Sequence, residues 1–245
     1  MTMSEGLPPL FFCHSLPAEG ESVALDEDES RHALSSRRLA DGDRIALFDG
    51  QGTIAQGQVD SVGKPRHGLK VCVISKQFHQ QPSELILASA IPKGDRMSVM
   101  LDMATQLGMT QFIPLSCGRS VVKPKVKSQQ RWSRICSEAC KQSRRAWLPT
   151  LSPPVSPGEL AQQMCNTNQV LIAHPVGLAL REVASQRRTV SKNHLAPLIM
   201  IGPEGGFTDD EVTTVTQQGG IAVSLGQSIL RIETAAVTAL ALLAG

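Results

Sequence analysis

Two loops near the C-terminus carry the residue types best suited to chemistry. The first reads Ile201-Gly202-Pro203-Glu204-Gly205-Gly206-Phe207. Its three glycines let a backbone approach a ligand closely, and Glu204 sets a carboxylate among them. The second reads Leu225-Gly226-Gln227-Ser228-Ile229-Leu230-Arg231-Ile232-Glu233-Thr234 and runs straight into the apolar stretch 235–244. Glu233 at that helix entrance complements the positive end of the helix dipole, whereas Arg231 opposes it. An arginine in an unfavourable place suggests another task, and its planar fork suits a carboxylate or a phosphate. Neither loop is a Walker A or a G-x-G-x-x-G segment, so the standard nucleotide motifs are not met. Glycine loops are often no more than tight connections, and that plainer reading stands beside the ligand-binding one.

The elements that must position these loops follow from pattern. Residues 198–201 form an apolar strand that leads into the first loop. Thr208-Asp209-Asp210-Glu211 fits a capping box, with Phe207 and Val212 as its hydrophobic staple. The order is therefore strand, glycine turn, capped helix. Apolar runs at 85–91, 112–115, 170–173 and 221–225 alternate with helical patterns, such as Met97, Met100, Leu101, Ala104 and Leu107 before a Gly108 stop. Such alternation predicts α/β architecture with a mainly parallel sheet, whose ligands bind at strand ends. The first 75 residues read differently. Short strand-like runs at 23–25, 45–48, 53–59 and 69–74 predict a small barrel, with a hairpin at Asp49-Gly50-Gln51-Gly52 and a short helix at 32–39. Residues 78–83 read as a linker and the proline-rich 149–157 as a loop. The expected domains are residues 1–79 and 80–245.

Composition narrows the partners. The chain has 245 residues and a net charge of +2, with 6 Phe, 2 Trp and no Tyr. So few aromatics exclude serial base stacking as a mode of RNA binding. The charge is unevenly placed. Between Arg119 and Arg145 stand nine basic residues (Arg119, Lys123, Lys125, Lys127, Arg131, Arg134, Lys141, Arg144 and Arg145) against one acid, Glu138. On the predicted helix Trp132, Ile135, Cys136, Ala139 and Ser143 share one face, while Arg131, Arg134, Lys141 and Arg145 share the other. A basic face of this density points to a phosphate backbone rather than to a merely solvated surface. The acidic run 19–29, with six carboxylates, is expected to face away from that polyanion. Six cysteines without a C-x-x-C pair imply a reduced, cytoplasmic protein and no metal. No apolar run reaches the roughly 20 residues of a membrane span, and residues 1–12 lack the basic start of a signal peptide.

The two loops together resemble those of the ribosomal RNA small-subunit methyltransferase E family, the uridine N3-methyltransferases of the SPOUT class. The carriers are Gly202-Pro203-Glu204-Gly205-Gly206-Phe207 and Leu225-Gly226, followed by Ile229-Leu230-Arg231-x-Glu233-Thr234-Ala235. Other stretches are similar to the family as well. They are residues 43–50 with His32 and Arg38 as an H-x5-R pair, Lys93-Gly94-Asp95-Arg96-Met97, Gly118-Arg119-Ser120, and Glu138-Ala139-x-x-Gln142-Ser143-x-Arg145. The chain departs from the family pattern at Met103 and Gln106, where Lys and Glu are usual, and at Ser36-Arg37-Arg38.

The resemblance implies an N-terminal PUA-like β-barrel and a C-terminal SPOUT domain with a trefoil knot. It further implies S-adenosylmethionine as cofactor, a homodimer, and small-subunit ribosomal RNA or the assembled subunit as partner. The cofactor residues it implies are Ile172, His174, Ile201, Gly202, Gly205, Gly206, Leu225, Gly226, Ile229 and Leu230. Arg38, Arg119, Lys123, Arg131, Arg134, Lys141 and Arg145 are the expected RNA contacts. Methylating N3 of a uridine in 16S RNA requires loss of the N3 proton and support for the resulting charge. Arg231 is the candidate for the charge, and Glu204 or Glu233 for the proton. N3 lies on the pairing edge, so the base must be unpaired or flipped. Two alternatives remain at this point: a non-catalytic ribosome-associated RNA-binding protein, and a SPOUT enzyme acting on tRNA.

Overall fold

The computed structural model describes residues 7–62, 69–122, 128–189 and 195–244. The chain divides into two compact units. One holds the chain up to Gln81 together with residues 140–148, and the other holds residues 82–139 and those from Pro149 onward.

The first unit is built on a five-stranded sheet. Its strands are β1 (Leu10–Phe12), β2 (Ser22–Ala24), β3 (Arg44–Phe48), β4 (Thr53–Val62) and β5 (Leu69–Phe78), in the order β1-β3-β4-β5-β2. β1 pairs β3 in parallel and the other pairs are antiparallel. Alternation along β3 explains its position. Ile45 and Leu47 enter a core with Phe11, Val59, Val71 and Val73. Ala46 and Phe48 point to the opposite face, where they pack with Leu10 and Cys140.

Residues 140–148 belong to this unit for visible reasons. Gly52 N–H donates to Ala146 O, Leu148 N–H to Gly50 O, and the Trp147 indole N–H to His79 O at 2.9 Å. Gly52, at φ +104°, must lack a side chain, because a Cβ there would lie 2.6 Å from the Trp147 ring. The expected hairpin glycines thus also make room for a returning segment. Phe78 is the last residue of β5 rather than the start of a linker. It pairs with Thr53, and its ring meets Trp147 edge-on at 6.1 Å.

The short helix lies earlier than expected, at α1 (Glu27–Ser35). Asp26 accepts from Glu29 N–H at 2.8 Å, and Glu27, Asp28 and Glu29 fill the first turn, where the helix dipole favours them. The acidic run therefore starts a helix. It does not turn wholly away from positive charge, since Glu29 pairs with Lys141 at 2.8 Å.

The second unit is a six-stranded, fully parallel sheet. Its strands are β6 (Ile86–Ser89), β7 (Gln111–Pro114), β8 (Thr150–Leu151), β9 (Asn168–Ala179), β10 (Ala196–Ile201) and β11 (Ile221–Ser224), in the order β11-β9-β10-β6-β7-β8. The central strands β6 and β10 are almost wholly buried, as expected for strands covered on both faces. The helices are α2 (Arg96–Gln106), α3 (Ser128–Ser143), α4 (Pro157–Met164), α5 (Leu180–Thr189), α6 (Asp209–Gln217) and α7 (Ile232–Leu243). Residues 149–157 are more ordered than a loop. They supply β8 and a bridge from Val155 to Leu115 before Ser156 caps α4 with Pro157 in its first turn. On α3, Trp132, Cys136 and Ala139 are buried as expected, and Trp132 packs edge-on against Phe112 at 5.7 Å. Among the described residues no helix is long and apolar enough to cross a membrane.

Candidate cofactor cleft

Three segments converge at the C-terminal ends of β9, β10 and β11. The first is an excursion within β9. Ala222 pairs with Ile172 but the next residue, Val223, pairs with Leu178, so residues 173–177 leave the ladder and rejoin it. Gly177 is the re-entry point, where a Cβ would sit 2.6 Å from the backbone of Ala222 and Val223. The second segment is the loop after β10. Thr208 caps α6 as expected. Its hydroxyl accepts from Glu211 N–H, and the Glu211 carboxylate returns to Thr208 N–H at 2.8 Å. Phe207 is buried in the same cluster that Val212 packs against. The third is the loop from β11 into α7.

Together these segments enclose a cavity of about 1090 Å³. His174 and Gly177 line it from the excursion, Gly202 to Phe207 from the second loop, and Ser224 to Leu230 from the third. Ala235, Thr238 and Leu242 of α7 form an apolar wall, and Arg181 at the start of α5 adds a cation. Gly206 and Gly226 have φ values of +70° and +147°, and the space where their Cβ atoms would stand is open. The cleft is thus lined by backbone and small residues, a surface suited to a mid-sized ligand held by main-chain groups.

The expected cofactor residues fall as follows. His174, Ile201, Gly202, Gly205, Gly206, Leu225, Gly226, Ile229 and Leu230 line the cavity. Ile172 does not line it, because it is fully buried in the β9 ladder, between Met200 and Ala222. Val176 N–H donates to His174 Nδ1 at 3.3 Å, which makes that nitrogen the acceptor.

Of the acids and bases, Glu204 is exposed on the cavity wall. Arg231 is the N-cap of α7, exposed and without a side-chain partner among the described residues. Glu233 is turned away from the cavity lining. One of its oxygens lies 3.7 Å from Arg96 Nε, and the other is buried without a hydrogen-bond partner among the described residues.

The expected RNA contacts are dispersed in character. Arg38 is exposed, at φ +53° just beyond α1. Arg131 is exposed and reaches Ser98 Oγ at 3.2 Å, and Arg134 is also exposed. Arg145 lies past the end of α3 and is half-buried. Lys141 does not lie on an open basic face: its side chain is 9% exposed and paired with Glu29. The neighbouring Arg144 donates to Pro8 O, and burial lowers its pKa. Arg119 turns inward to the second loop, where its Nη1 donates to Gly205 O at 2.9 Å and Phe207 O at 3.1 Å. Lys123, Lys125 and Lys127 lie outside the described residues.

Sequence reasoning missed Arg181, Arg96 and the α7 wall. The wall had a signal, since 235, 238 and 242 share one helix face; Arg96 stood in the family-like stretch 93–97 with no role assigned, and Arg181 had no signal. Among the described residues no group of three or more His, Cys, Asp or Glu could hold a metal, and no disulfide joins the cysteines.

A parallel α/β unit with a backbone-lined cleft at its strand ends, joined to a small β unit, defines a two-part protein of the ligand-binding α/β class. The chain belongs to the RNA methyltransferase domain family, whose model matches residues 79–244, and an RNA methyltransferase PUA domain model matches residues 25–66. It is similar to the ribosomal RNA small subunit methyltransferase E of Bacillus subtilis, at 32% identity over 91% of this chain and 89% of that protein. The Synechocystis protein of the same name is 34% identical over 90% of this chain and 72% of its own length. Among solved structures, a Neisseria gonorrhoeae ribosomal RNA small subunit methyltransferase E bound to S-adenosyl methionine superposes with a TM-score of 0.84. It is 29% identical and covers 96% of both chains. A Legionella pneumophila putative methyltransferase in complex with the same cofactor gives a TM-score of 0.86 at 27% identity, covering 97% of both chains.

Proposed function

We propose that this chain methylates N3 of a uridine in small-subunit ribosomal RNA, with S-adenosylmethionine as the methyl donor. The observation that carries the reading is the cleft itself, in which two glycine loops and the β9 excursion present backbone groups around one cavity. The names and bound cofactor of its relatives support the same reading. The residues present fit the cofactor: Gly206 and Gly226 leave open cradles, and the α7 wall offers apolar contact.

When bound, the cofactor supplies a methyl group on a sulfonium, already a good leaving group. The protein's task is then position and charge. Backbone groups of residues 201–206 and 225–230 hold the cofactor beside His174. Glu204, exposed on the cavity wall, accepts the N3 proton; it suits this role better than Glu233, which faces Arg96. Arg231, with a free guanidinium at the mouth of α7, supports charge on the uracil or a nearby phosphate. Arg38, Arg131, Arg134 and Arg145, with Lys123, hold the RNA backbone, and the target base is extruded to expose its pairing edge.

The reading extends to finer features. The first unit is read as a PUA-like domain, and the second as carrying a trefoil knot, an exception to the general rule of unknotted chains. The enzyme works in the cytoplasm as a homodimer. Support for the dimer comes from Val176, Leu178 and Ile229 near the cleft, which are 85%, 61% and 95% exposed. Sedimentation of the purified chain at about twice 26.3 kDa is the expected result. The decisive test is mass spectrometry of ribosomal RNA nucleosides from a strain lacking this protein. Loss of N3-methyluridine is expected, and an unchanged profile removes the proposal.

A further inference from the structure

The turn after β7 is hydrogen-bonded both to the glycine loop 201–207 and to the first turn of α6. Gly118 N–H donates to Glu211 Oε1 at 2.8 Å, while Arg119 Nη1 donates to the carbonyls of Gly205 and Phe207. The arginine stem also lies on the loop, since a Cβ at Gly205 would touch its Cδ and Cβ at 3.5 and 3.6 Å. These bonds act on whole peptide planes. In the plane joining Gly205 to Gly206, the oxygen is held by Arg119 and the N–H by Pro203 O at 2.8 Å. In the plane joining Phe207 to Thr208, the oxygen is again held by Arg119 and the N–H by Glu211 Oε2 at 2.8 Å. A plane held at both ends cannot flip without breaking two bonds. The plane between them, from Gly206 to Phe207, makes no hydrogen bond among the described residues, so its polar groups stay open to a ligand.

We infer that Arg119 is a positioning residue of the cofactor loop, with the Glu211 carboxylate as its counterpart, rather than a phosphate contact. The inference rests on the proposed cofactor role of residues 201–206. Arg119 acts through the peptide planes it fixes. Its effect is therefore present before RNA arrives, and it depends on a donor at the end of the side chain rather than on the guanidinium shape. A lysine, with three donors on one nitrogen, can replace the single Nη1 that makes both bonds.

The test uses the full chain as wild type, Arg119→Ala, Arg119→Lys and Glu211→Gln. Amide exchange is read at Gly206 and Thr208 without ligand, and S-adenosylmethionine affinity is read by calorimetry without RNA. RNA affinity is followed against salt concentration. In Arg119→Ala, both amides are expected to exchange faster and the cofactor to bind about tenfold or more weakly, because two charge-assisted bonds are lost. Arg119→Lys restores affinity to within a few-fold, and keeps the inference testable if the alanine variant melts. The salt slope for RNA stays unchanged. Unchanged exchange and cofactor affinity, with a salt slope lower by about one, would overturn the inference and make Arg119 a phosphate contact. A wild-type chain that takes up no cofactor fails the proposed function instead, and the amide exchange still decides whether the latch exists.

Discussion

Lys141 Nζ lies 2.8 Å from Glu29 Oε1, with 9% and 11% of the two side chains exposed. The pair joins residues 112 positions apart within one unit, and it removes from solution a lysine that the charge pattern assigned to RNA. Removing one partner of a buried pair leaves a desolvated charge, which costs more than the pair contributes. Lys141→Ala should therefore destabilise the chain by about 3 kcal/mol in urea denaturation. The double variant Glu29→Leu with Lys141→Met should recover most of that loss. RNA affinity should be unaffected in the double variant; a fall equal to that of Arg131→Ala would return Lys141 to the RNA surface.

Gly52 should be nearly irreplaceable. An alanine there needs a left-handed backbone at φ +104° and collides with the Trp147 ring at 2.6 Å. Together these should cost about 2–4 kcal/mol, read as a lowered Tm. Gly20, at φ +86° with open space around its Cβ position, should lose only the backbone part, about 1 kcal/mol.

The three candidate catalytic residues should separate by kinetics. Arg231→Ala should lower kcat about 100-fold or more while changing cofactor affinity less than about threefold. Glu204→Gln should lower kcat by about 10²–10⁴, the usual worth of a general base. Glu233→Gln should act mainly on stability, since its carboxylate faces Arg96. A larger kcat loss in Glu233→Gln than in Glu204→Gln would reverse the assignment of the proton acceptor.

Alkaline pH should weaken the fold through Cys117. Burial, with the Glu211 charge adding to it, pushes this thiol from 9.0 to about 12. The folded state therefore keeps its proton in a range where the unfolded chain loses it. The sign is a stability present in full below pH 9 and lost as pH rises towards 12, at up to about 1.4 kcal/mol per pH unit. Urea midpoints between pH 8 and pH 10.5 should fall less steeply for Cys117→Ala than for wild type. Parallel slopes in the two proteins would show that other groups govern the alkaline limb.

What the sequence made legible was whatever rests on local rules. The capping box at Thr208 and Glu211 is a contact between residues three apart, and it stands as expected. The parallel strands followed from apolar runs, and the glycine loops lie on the cleft because backbone lining needs glycine wherever it occurs. The misses share a different cause. Residues 140–148 join the first unit through Trp147, Leu148 and Cys140, contacts that span scores of residues and leave no periodic trace. The basic stretch 119–145 looked uniform as a string of charges. In the structure Arg119 goes to loop carbonyls, Lys141 to Glu29 and Arg144 to Pro8, because each is placed by a partner that charge counting does not see. The helix α1 begins at Glu27 rather than at residue 32, because Asp26 caps it and three acids fill its first turn.

The excursion of β9 has an energetic consequence for whatever the cleft binds. Residues 173–177 are tethered at both ends in one ladder, by Ile172 on Ala222 and by Leu178 on Val223. A free loop of that size samples many shapes, and a ligand ordering it would give up about 1–2 kcal/mol of entropy per residue. Here that disorder is surrendered when the sheet forms, so the ligand meets a rim already set. Binding to such a rim should leave the conformational entropy of these five residues almost unchanged, and affinity should report contacts rather than folding of the loop.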